Sequence, residues 1–345
     1  MPDSNEGSES SDTSAPSRGW APLGTATPFG RHIRRYARTT ADNTDSDSKG
    51  VEMKRSALSA RRALETINFL ALNPHGAYTL TELSRALDIS PASMTDVLAS
   101  LVTLGYVARH PVRKTYHVGA ALVTIGESAA ERHPVIGLAK DEMQRLADRG
   151  YEVVGGLLVG DDILIASIAG RPRGGSRRIY RGERLPLIPP FGTVFLAWME
   201  DAEVAARLNR ADVRESPAAL REVLDAVRAR GYAIGLSNSA PRRERTEILT
   251  ALAATPGDEG LRTALRETMI VERDYALLDV DPAQEYHVAS IAAPVFDFDR
   301  QVVFALVLSD PGVLRGAEIE RAVSDVMESA VHLTRLIGGR HPGEA

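Results

Sequence analysis

The spacing of apolar and polar positions is most regular over residues 79–119, where it predicts two short helices followed by a two-stranded flap. Apolar residues recur at helical intervals over residues 80–87 and again, as a buried stripe ending at Leu104, over residues 94–104. Two short helices joined by a tight turn are the frame of a helix-turn-helix, whose second helix enters the DNA major groove. The same frame is common in helical bundles that bind nothing, and that alternative stays open on the pattern alone.

Capping residues mark the ends of both helices. Thr79 and Glu82 have the spacing of a capping box, and Ser90 followed by Pro91 is typical of a helix start. Gly105 stands where a left-handed C-terminal cap is expected. Residues 106–109 and 115–118 then predict two strands around a basic tip, HPVRK, which is the pattern of a DNA-binding wing.

The rest of the chain predicts a tail, a linker helix and a second domain. Two hairpins (residues 151–170 and 288–308) stand between helices, and they indicate α+β architecture with antiparallel strands rather than alternating βαβ units. A helix over 120–132 links the two parts, and it is suited either to packing against a second subunit or to a core within one chain. The expected divisions are 1–52 disordered tail, 53–119 winged helix-turn-helix, 120–133 linker helix, 134–338 second domain and 339–345 tail.

Composition narrows the function classes. The chain has 345 residues, enough for two cores, and it has no cysteine, which excludes disulfides, a thiol nucleophile and a cysteine zinc site. No apolar run approaches the roughly 18 residues that span a membrane, and no signal-peptide pattern opens the sequence, so we expect a soluble cytoplasmic protein. Because Met53 directly precedes the patterned region, one expectation is that translation starts there.

Charge is unevenly distributed along the chain. Residues 53–118 carry eight Lys and Arg against four Asp and Glu, whereas residues 119–345 carry 27 against 34. A basic module joined to an acidic one suits a protein that touches phosphates at one end only, although an excess of four charges also arises by chance.

A proline-rich stretch is the first candidate for a ligand mouth. The sequence LPLIPPFGTVFLAW (residues 185–198) predicts an apolar helix starting near Phe191 or Gly192, and helix N-termini attract anions. Pro190, Phe191, Gly192 and Thr193 are the candidate ligand contacts here. The alternative is a buried helix with a proline-rich lead-in.

Enzyme signatures are missing from the sequence. It has no G-x-S-x-G elbow, H-E-x-x-H pair or P-loop, so we expect no enzyme activity, cofactor or metal. Of the eight scattered histidines, only His287 lies beside a predicted pocket strand, and plain burial is the alternative to ligand contact there.

Six segments together resemble the IclR family of bacterial transcription regulators, over about residues 55–338. They are SARRALETI, TLTELSRALDIS, LASLVTLGYV, RLPLIPPFGTVFLAW, RGYAI and SIAAPVFD. The resemblance implies a winged helix-turn-helix, a linker helix and a GAF-like effector-binding domain. It also implies a homodimer or homotetramer on a palindromic double-stranded operator, switched by a small-molecule effector.

Several residues depart from the family pattern. The reading helix keeps Ser93 but has Asp96 where an Arg is usual, and an Asp can only accept hydrogen bonds, for example from a cytosine amino group. DNA binding then relies on Arg62 and the wing. The alternative function is that of a small-molecule-binding protein whose DNA binding is weak or lost. The residues expected at the DNA are Arg62, Thr79, Ser90, Ala92, Ser93, Thr95, Asp96, Arg109, Arg113 and Lys114.

The family's small-acid sensors have polar ligand groups near the RGYA strand and just before IAAPV. By that resemblance the effector contacts here include Leu236, Ser290, Val307 and Ser309, a more apolar set than usual. The expected effector is a small organic acid or an aromatic or apolar metabolite. An additional helical stretch over residues 241–275 suggests a lid or an oligomer contact.

Overall fold

The computed structural model describes most of the chain from residue 48 onward. The described residues are 48–172, 179–210, 217–237, 247–249, 251–252, 258–269 and 275–343. The expected disordered tail therefore lies mostly outside the described residues. No helix within them is long and apolar enough to cross a membrane.

Three helices and a two-stranded sheet form the N-terminal part. Helix α1 begins at Ser48, so the boundary expected at residue 52 falls inside it. The elements are α1 (Ser48–Leu72), α2 (Leu80–Ala86), α3 (Pro91–Thr103), β1 (Val107–Arg109) and β2 (Tyr116–Val118).

The core of this part joins α1, α2 and α3, with Leu70, Leu83, Met94 and Leu98 at its centre. One expectation fails at its edge, because the side chain of Leu104 is 64% exposed. This residue caps α3 at its C-terminal end, beyond the last turn that packs against α1 and α2, so helical spacing alone placed it wrongly.

Two helices lead from the wing to the C-terminal domain. They are α4 (Ala121–Arg132) and α5 (Pro134–Asp148), separated by His133. Pro134 lacks the N–H that a continuous helix needs, and His133 adopts φ −125° and ψ 63°, which interrupts the helix. Helix α4 buries no residue within the described chain, whereas α5 buries one face against the sheet.

A six-stranded antiparallel sheet forms the centre of the C-terminal domain. Its spatial order is β5-β4-β3-β8-β7-β6. The strands are β3 (Glu152–Val159), β4 (Asp162–Ala169), β5 (Arg184–Pro186), β6 (Ala233–Leu236), β7 (Glu285–Phe296) and β8 (Val302–Arg315).

Helices cover both sides of this sheet. The remaining helices are α6 (Thr193–Leu196), α7 (Asp201–Arg210), α8 (Pro217–Arg230), α9 (Glu259–Met269) and α10 (Gly316–Leu336). Leu306 and Leu308 of β8 point to α5 and α10, on what we call the α5/α10 face. Ala305 and Val307 point to the opposite side, where α6 and α8 pack, which we call the α6/α8 face.

The additional helical segment docks on the edge of the sheet. Its described part contributes a small core that packs against Leu185 and Phe191. Arg262 of α9 donates Nη2 to both carboxylate oxygens of the buried Asp162, at 2.7 and 2.8 Å. A buried carboxylate held by a guanidinium fixes the segment over the β4–β5 edge and the proline-rich turn.

Candidate nucleic-acid interface and effector site

Side-chain caps set the start of both helices of the helix-turn-helix. The Thr79 N–H donates to Glu82 Oε2 at 2.8 Å, and the Glu82 N–H donates back to Thr79 Oγ1 at 3.4 Å, which completes the capping box. Ser90 Oγ accepts the Ser93 N–H at 3.4 Å, with Pro91 at the first helical position. These caps fix the angle at which α3 leaves the turn. Thr79 and Ser90 are therefore the N-caps of α2 and α3.

Two predicted DNA-contacting residues meet at the start of α3. Arg62 of α1 donates Nη1 to Ser93 Oγ at 3.2 Å, and Ser90 Oγ donates to the same oxygen at 3.1 Å. The Ser93 oxygen accepts both bonds, while its own O–H is still a donor. The arrangement places a guanidinium at the N-terminal end of the reading helix, where phosphate oxygens also bind favourably.

The outward face of α3 consists of small and acidic groups. Ala92, Thr95 and Asp96 are exposed. Thr95 turns its hydroxyl back to the Pro91 carbonyl at 2.8 Å, so its methyl group faces outward and is suited to contact a thymine methyl. Asp96 offers acceptors only, and they match the amino group of cytosine.

A histidine organises the tip of the wing. His110 Nδ1 accepts the backbone N–H groups of Val112 at 3.2 Å and Arg113 at 3.1 Å, while the Lys114 N–H donates to the His110 carbonyl at 3.0 Å. Lys114 has φ +57°, a left-handed conformation that closes the tight tip. Arg113 and Lys114 are thereby exposed side by side, and Arg109 lies 5.7 Å from the centre of the Tyr116 ring.

Close backbone contacts hold the wing on the helices. The buried Tyr116 donates its N–H to the Tyr78 carbonyl at 2.7 Å, and this bond ties the second wing strand to the residue before the first cap. A Cβ on Gly119 would lie 2.1 Å from the Gly105 carbonyl oxygen, so only glycine fits there. These contacts hold the wing against the helices, so that the basic tip and α3 belong to one continuous surface.

The predicted effector residues divide between the two faces of the sheet. Ser290, Val307 and Ser309 lie on the α6/α8 face, in adjacent strands whose register pairs Ser290 with Ser309. Leu236 packs against the α5/α10 core instead, on the opposite face of the sheet from Ser290. His287 is exposed, and its carbonyl accepts the Ser237 N–H at 2.8 Å.

The proline-rich turn forms apolar packing rather than an open helix start. An apolar helix begins at Thr193, close to the predicted start, but α6 has only four buried residues and is too short to form an anion-binding N-terminus. Gly192 has φ +68°, and a Cβ there would lie 2.4 Å from the Leu187 side chain. Phe191 packs against the α9 segment, Thr193 is buried, and Pro190 is half-buried beside them.

One polar group on this face escaped the sequence reasoning. Glu152, the first residue of β3, is 3% exposed and lies opposite Ser309 in the register. Burial raises the pKa of its carboxyl above the ordinary 4.5, the nearby Asp310 raises it further, and a hydrogen bond from Ser309 lowers it. The only sequence signal was a charge at the start of an otherwise apolar strand. No group of three or more His, Asp or Glu that suits a metal occurs in the described ranges.

Comparison with known proteins identifies the N-terminal module. Residues 59–111 match the IclR helix-turn-helix domain. The chain is 27% identical over 202 residues to the HTH-type transcriptional regulator BhcR of Paracoccus denitrificans, covering 56% of this chain and 70% of that protein. It is 25% identical over 264 residues to the HTH-type transcriptional regulator XynR of Escherichia coli, covering 75% and 89%.

Solved structures have the same fold. An IclR homologue from Microbacterium hydrocarbonoxydans, solved in complex with 4-hydroxybenzoate, superposes with a TM-score of 0.54 at 16% identity, over 81% of this chain and 99% of that one. The winged helix-turn-helix, the linker helix and the helix-covered antiparallel sheet therefore form a known architecture. Residues 59–111 are thus an IclR-type helix-turn-helix domain, and the chain as a whole is similar to helix-turn-helix transcriptional regulators.

Proposed function

We infer that this chain is a ligand-responsive DNA-binding transcriptional regulator. The observation that supports it best is the joined surface of α3 and the wing, which presents Arg62 at the helix start and Arg113 and Lys114 at the tip. Phosphate contacts from such groups give affinity and position, whereas the exposed face of α3 reads bases. We propose the residue contacts in these roles.

A second copy of the chain completes the proposed interface. Helix α4 buries none of its residues, and its Val123 side chain is 61% exposed beside the partly exposed Ile125. An apolar helix face of this kind is unfavourable in water and is covered when two copies pack together. A symmetric pair of reading heads requires a palindromic operator, so we propose a homodimer, or a homotetramer of such dimers, on double-stranded DNA.

The switch follows from linkage between two sites. We propose that a small molecule binds on the α6/α8 face of the sheet, near Ser290, Val307 and Ser309. It changes DNA affinity only if it binds one arrangement of the reading heads more tightly than the other. The relatives that this chain matches are regulators and not enzymes, in keeping with a binding role for this face.

Fluorescence anisotropy of the full chain on a DNA fragment from upstream of its own reading frame tests the proposal. The expected result is tight binding that weakens steeply with salt, because several phosphate contacts release counterions. Weak binding without salt dependence would refute it. That outcome would favour a small-molecule-binding protein with lost DNA binding, to which the exposed Asp96 on the reading helix points.

A further inference from the structure

A row of polar side chains crosses the centre of the sheet on the α6/α8 face. Strand pairing aligns Glu152 of β3 with Ser309 of β8, and Ser309 with Ser290 of β7. Ser290 pairs in turn with Gly235 of β6, where a Cβ would lie 2.7 Å from the Ser290 hydroxyl. Neighbouring residues Tyr151 and Val153 both pack on the α5/α10 side, so Glu152 points to the same side as the two serines.

Glu152 is the unusual member of this row. Its side chain is almost completely buried, yet Oε2 has no hydrogen-bond partner in the described chain. Ser309 hydrogen-bonds to the carboxyl group, which leaves the second oxygen unsatisfied. A buried polar oxygen without a partner is costly, and such groups are retained where a ligand satisfies them.

The face above the row is open compared with the other face. Leu306, Leu308 and Ile291 are completely buried against α5 and α10. Ser290 and Ser309, in the same two central strands, keep part of their surface exposed. The two serines therefore give the row an accessible surface beside the buried Glu152.

A backbone irregularity lies beside a second carboxylate, that of Asp310. The pairing of β7 with β8 shifts between Val288 and Ser290, and Asp310 in the matching part of β8 has φ +40°. Bulges of this kind re-aim side chains next to functional sites, and a non-glycine residue in this conformation stores strain. Asp310 lies close enough to act on the Glu152 carboxyl electrostatically.

We propose that Glu152 is the polar anchor of the effector site and that the effector presents a protonated amine to it. The assignment rests on the proposed function, in which this face receives the effector. An ammonium group donates to the unsatisfied oxygen and is attracted by both acidic groups, whereas a carboxylate ligand is repelled by them. The next row, with Val154, Val307 and Ala292, supplies apolar contact for the body of the ligand. An amine head group differs from the small organic acid that was the first expectation from the sequence, and the apolar contacts agree with the second, an aromatic or apolar metabolite.

Three probes of the same shape test the charge preference. Isothermal titration of the full chain compares 4-hydroxybenzylamine, 4-hydroxybenzyl alcohol and 4-hydroxybenzoate, which differ only in the head group. We expect the amine to bind at least tenfold more tightly than the alcohol, and the benzoate to bind weakest. In the Glu152→Gln variant the affinity for the amine should fall at least tenfold, and the difference in affinity between the amine and the benzoate should become smaller or change sign. Glu285→Gln, an exposed acid of β7, is the matched control and should change nothing.

Three outcomes would overturn the anchor. They are tighter binding of the benzoate than of the amine, an unchanged amine affinity in Glu152→Gln, or no binding of any probe to a chain that is folded by circular dichroism. Promoter anisotropy separates this proposal from the regulator itself. Amine binding without DNA binding would refute the proposed regulator function and support Glu152 as the anchor. DNA binding with tighter binding of the benzoate than of the amine would refute the anchor alone.

Discussion

Removing both charges at the wing tip should lower the salt dependence of DNA binding by a calculable amount. Arg113 and Lys114 are exposed and adjacent, so the Arg113→Ala, Lys114→Ala variant should remove the two phosphate contacts that we propose for each chain. Alanine at position 114 has the same left-handed strain as lysine at φ +57°, which means that the backbone of the tip is unchanged.

The magnitude follows from counterion release. Each phosphate contact contributes about 0.9 to the slope of log affinity against log salt, so two contacts on each chain of the proposed dimer contribute about 3.6. Over the fourfold change from roughly 50 to 200 mM salt, that slope corresponds to about a 100-fold change in affinity. The variant should bind more weakly at low salt and lose about 100-fold less affinity across this interval.

The assay is anisotropy at five or more salt concentrations on both the promoter fragment and an unrelated duplex. The loss should be similar on the two sequences, because phosphates carry no sequence information. The matched control removes the same charge from the C-terminal domain, through Lys140→Ala and Arg335→Ala, both exposed, and should keep the native slope. A slope unchanged in the wing variant would exclude the wing from the interface.

Three further substitutions test other parts of the structure. Ser93→Ala should change the differences in binding free energy between operator variants by on the order of 1–3 kcal/mol. Ser100→Ala is the control and should leave these differences unchanged, because the Ser100 hydroxyl donates to the carbonyl of Asp96. An equal loss of affinity on every operator would contradict a base contact by Ser93. Gly119→Ala should destabilise the DNA-binding part by about 3 kcal/mol in urea melts, because the added methyl group would clash with a carbonyl oxygen. At Gly126 an added methyl group has no neighbour within 4 Å, so Gly126→Ala should be neutral or stabilising. Glu152→Gln should have a larger free energy of unfolding than the native chain at pH 7.5 and the same one below pH 4.5. The reason is that the pKa of Glu152 is raised in the folded state, so its ionisation costs stability only as the pH rises. A difference in free energy of unfolding that grows on acidification would refute this.

Local signals predicted the reading head well. The capping box at Thr79, the Ser90–Pro91 start and the left-handed Gly105 are all confirmed, because each depends on residues within one turn of the chain. Both wing strands and the first hairpin of the second domain also formed within a few residues of their expected bounds, whereas the second hairpin extends to Arg315, seven residues beyond its expected end. The burial predicted for Leu104 was wrong, because burial at the end of a helix depends on which residues lie beyond that end.

The effector face depended on information that is not local. The sequence placed Leu236 beside Ser290, yet the short strand β6 is buried on both faces, and its pattern cannot show which residues point where. Glu152 was missed for the opposite reason, because its neighbours only become visible once β3 pairs with β8. The roles of the individual DNA and effector contacts stay predictions.

The break at His133 makes helix α4 a lever arm. Its 12 residues are about 18 Å long at 1.5 Å per residue. A tilt of about 10° at the break would carry the far end by about 3 Å, close to the 3.4 Å rise of one base pair. In the proposed dimer, a tilt of that size at the break would be enough to move the two DNA-binding domains out of register with their half-sites, without any rearrangement inside either domain.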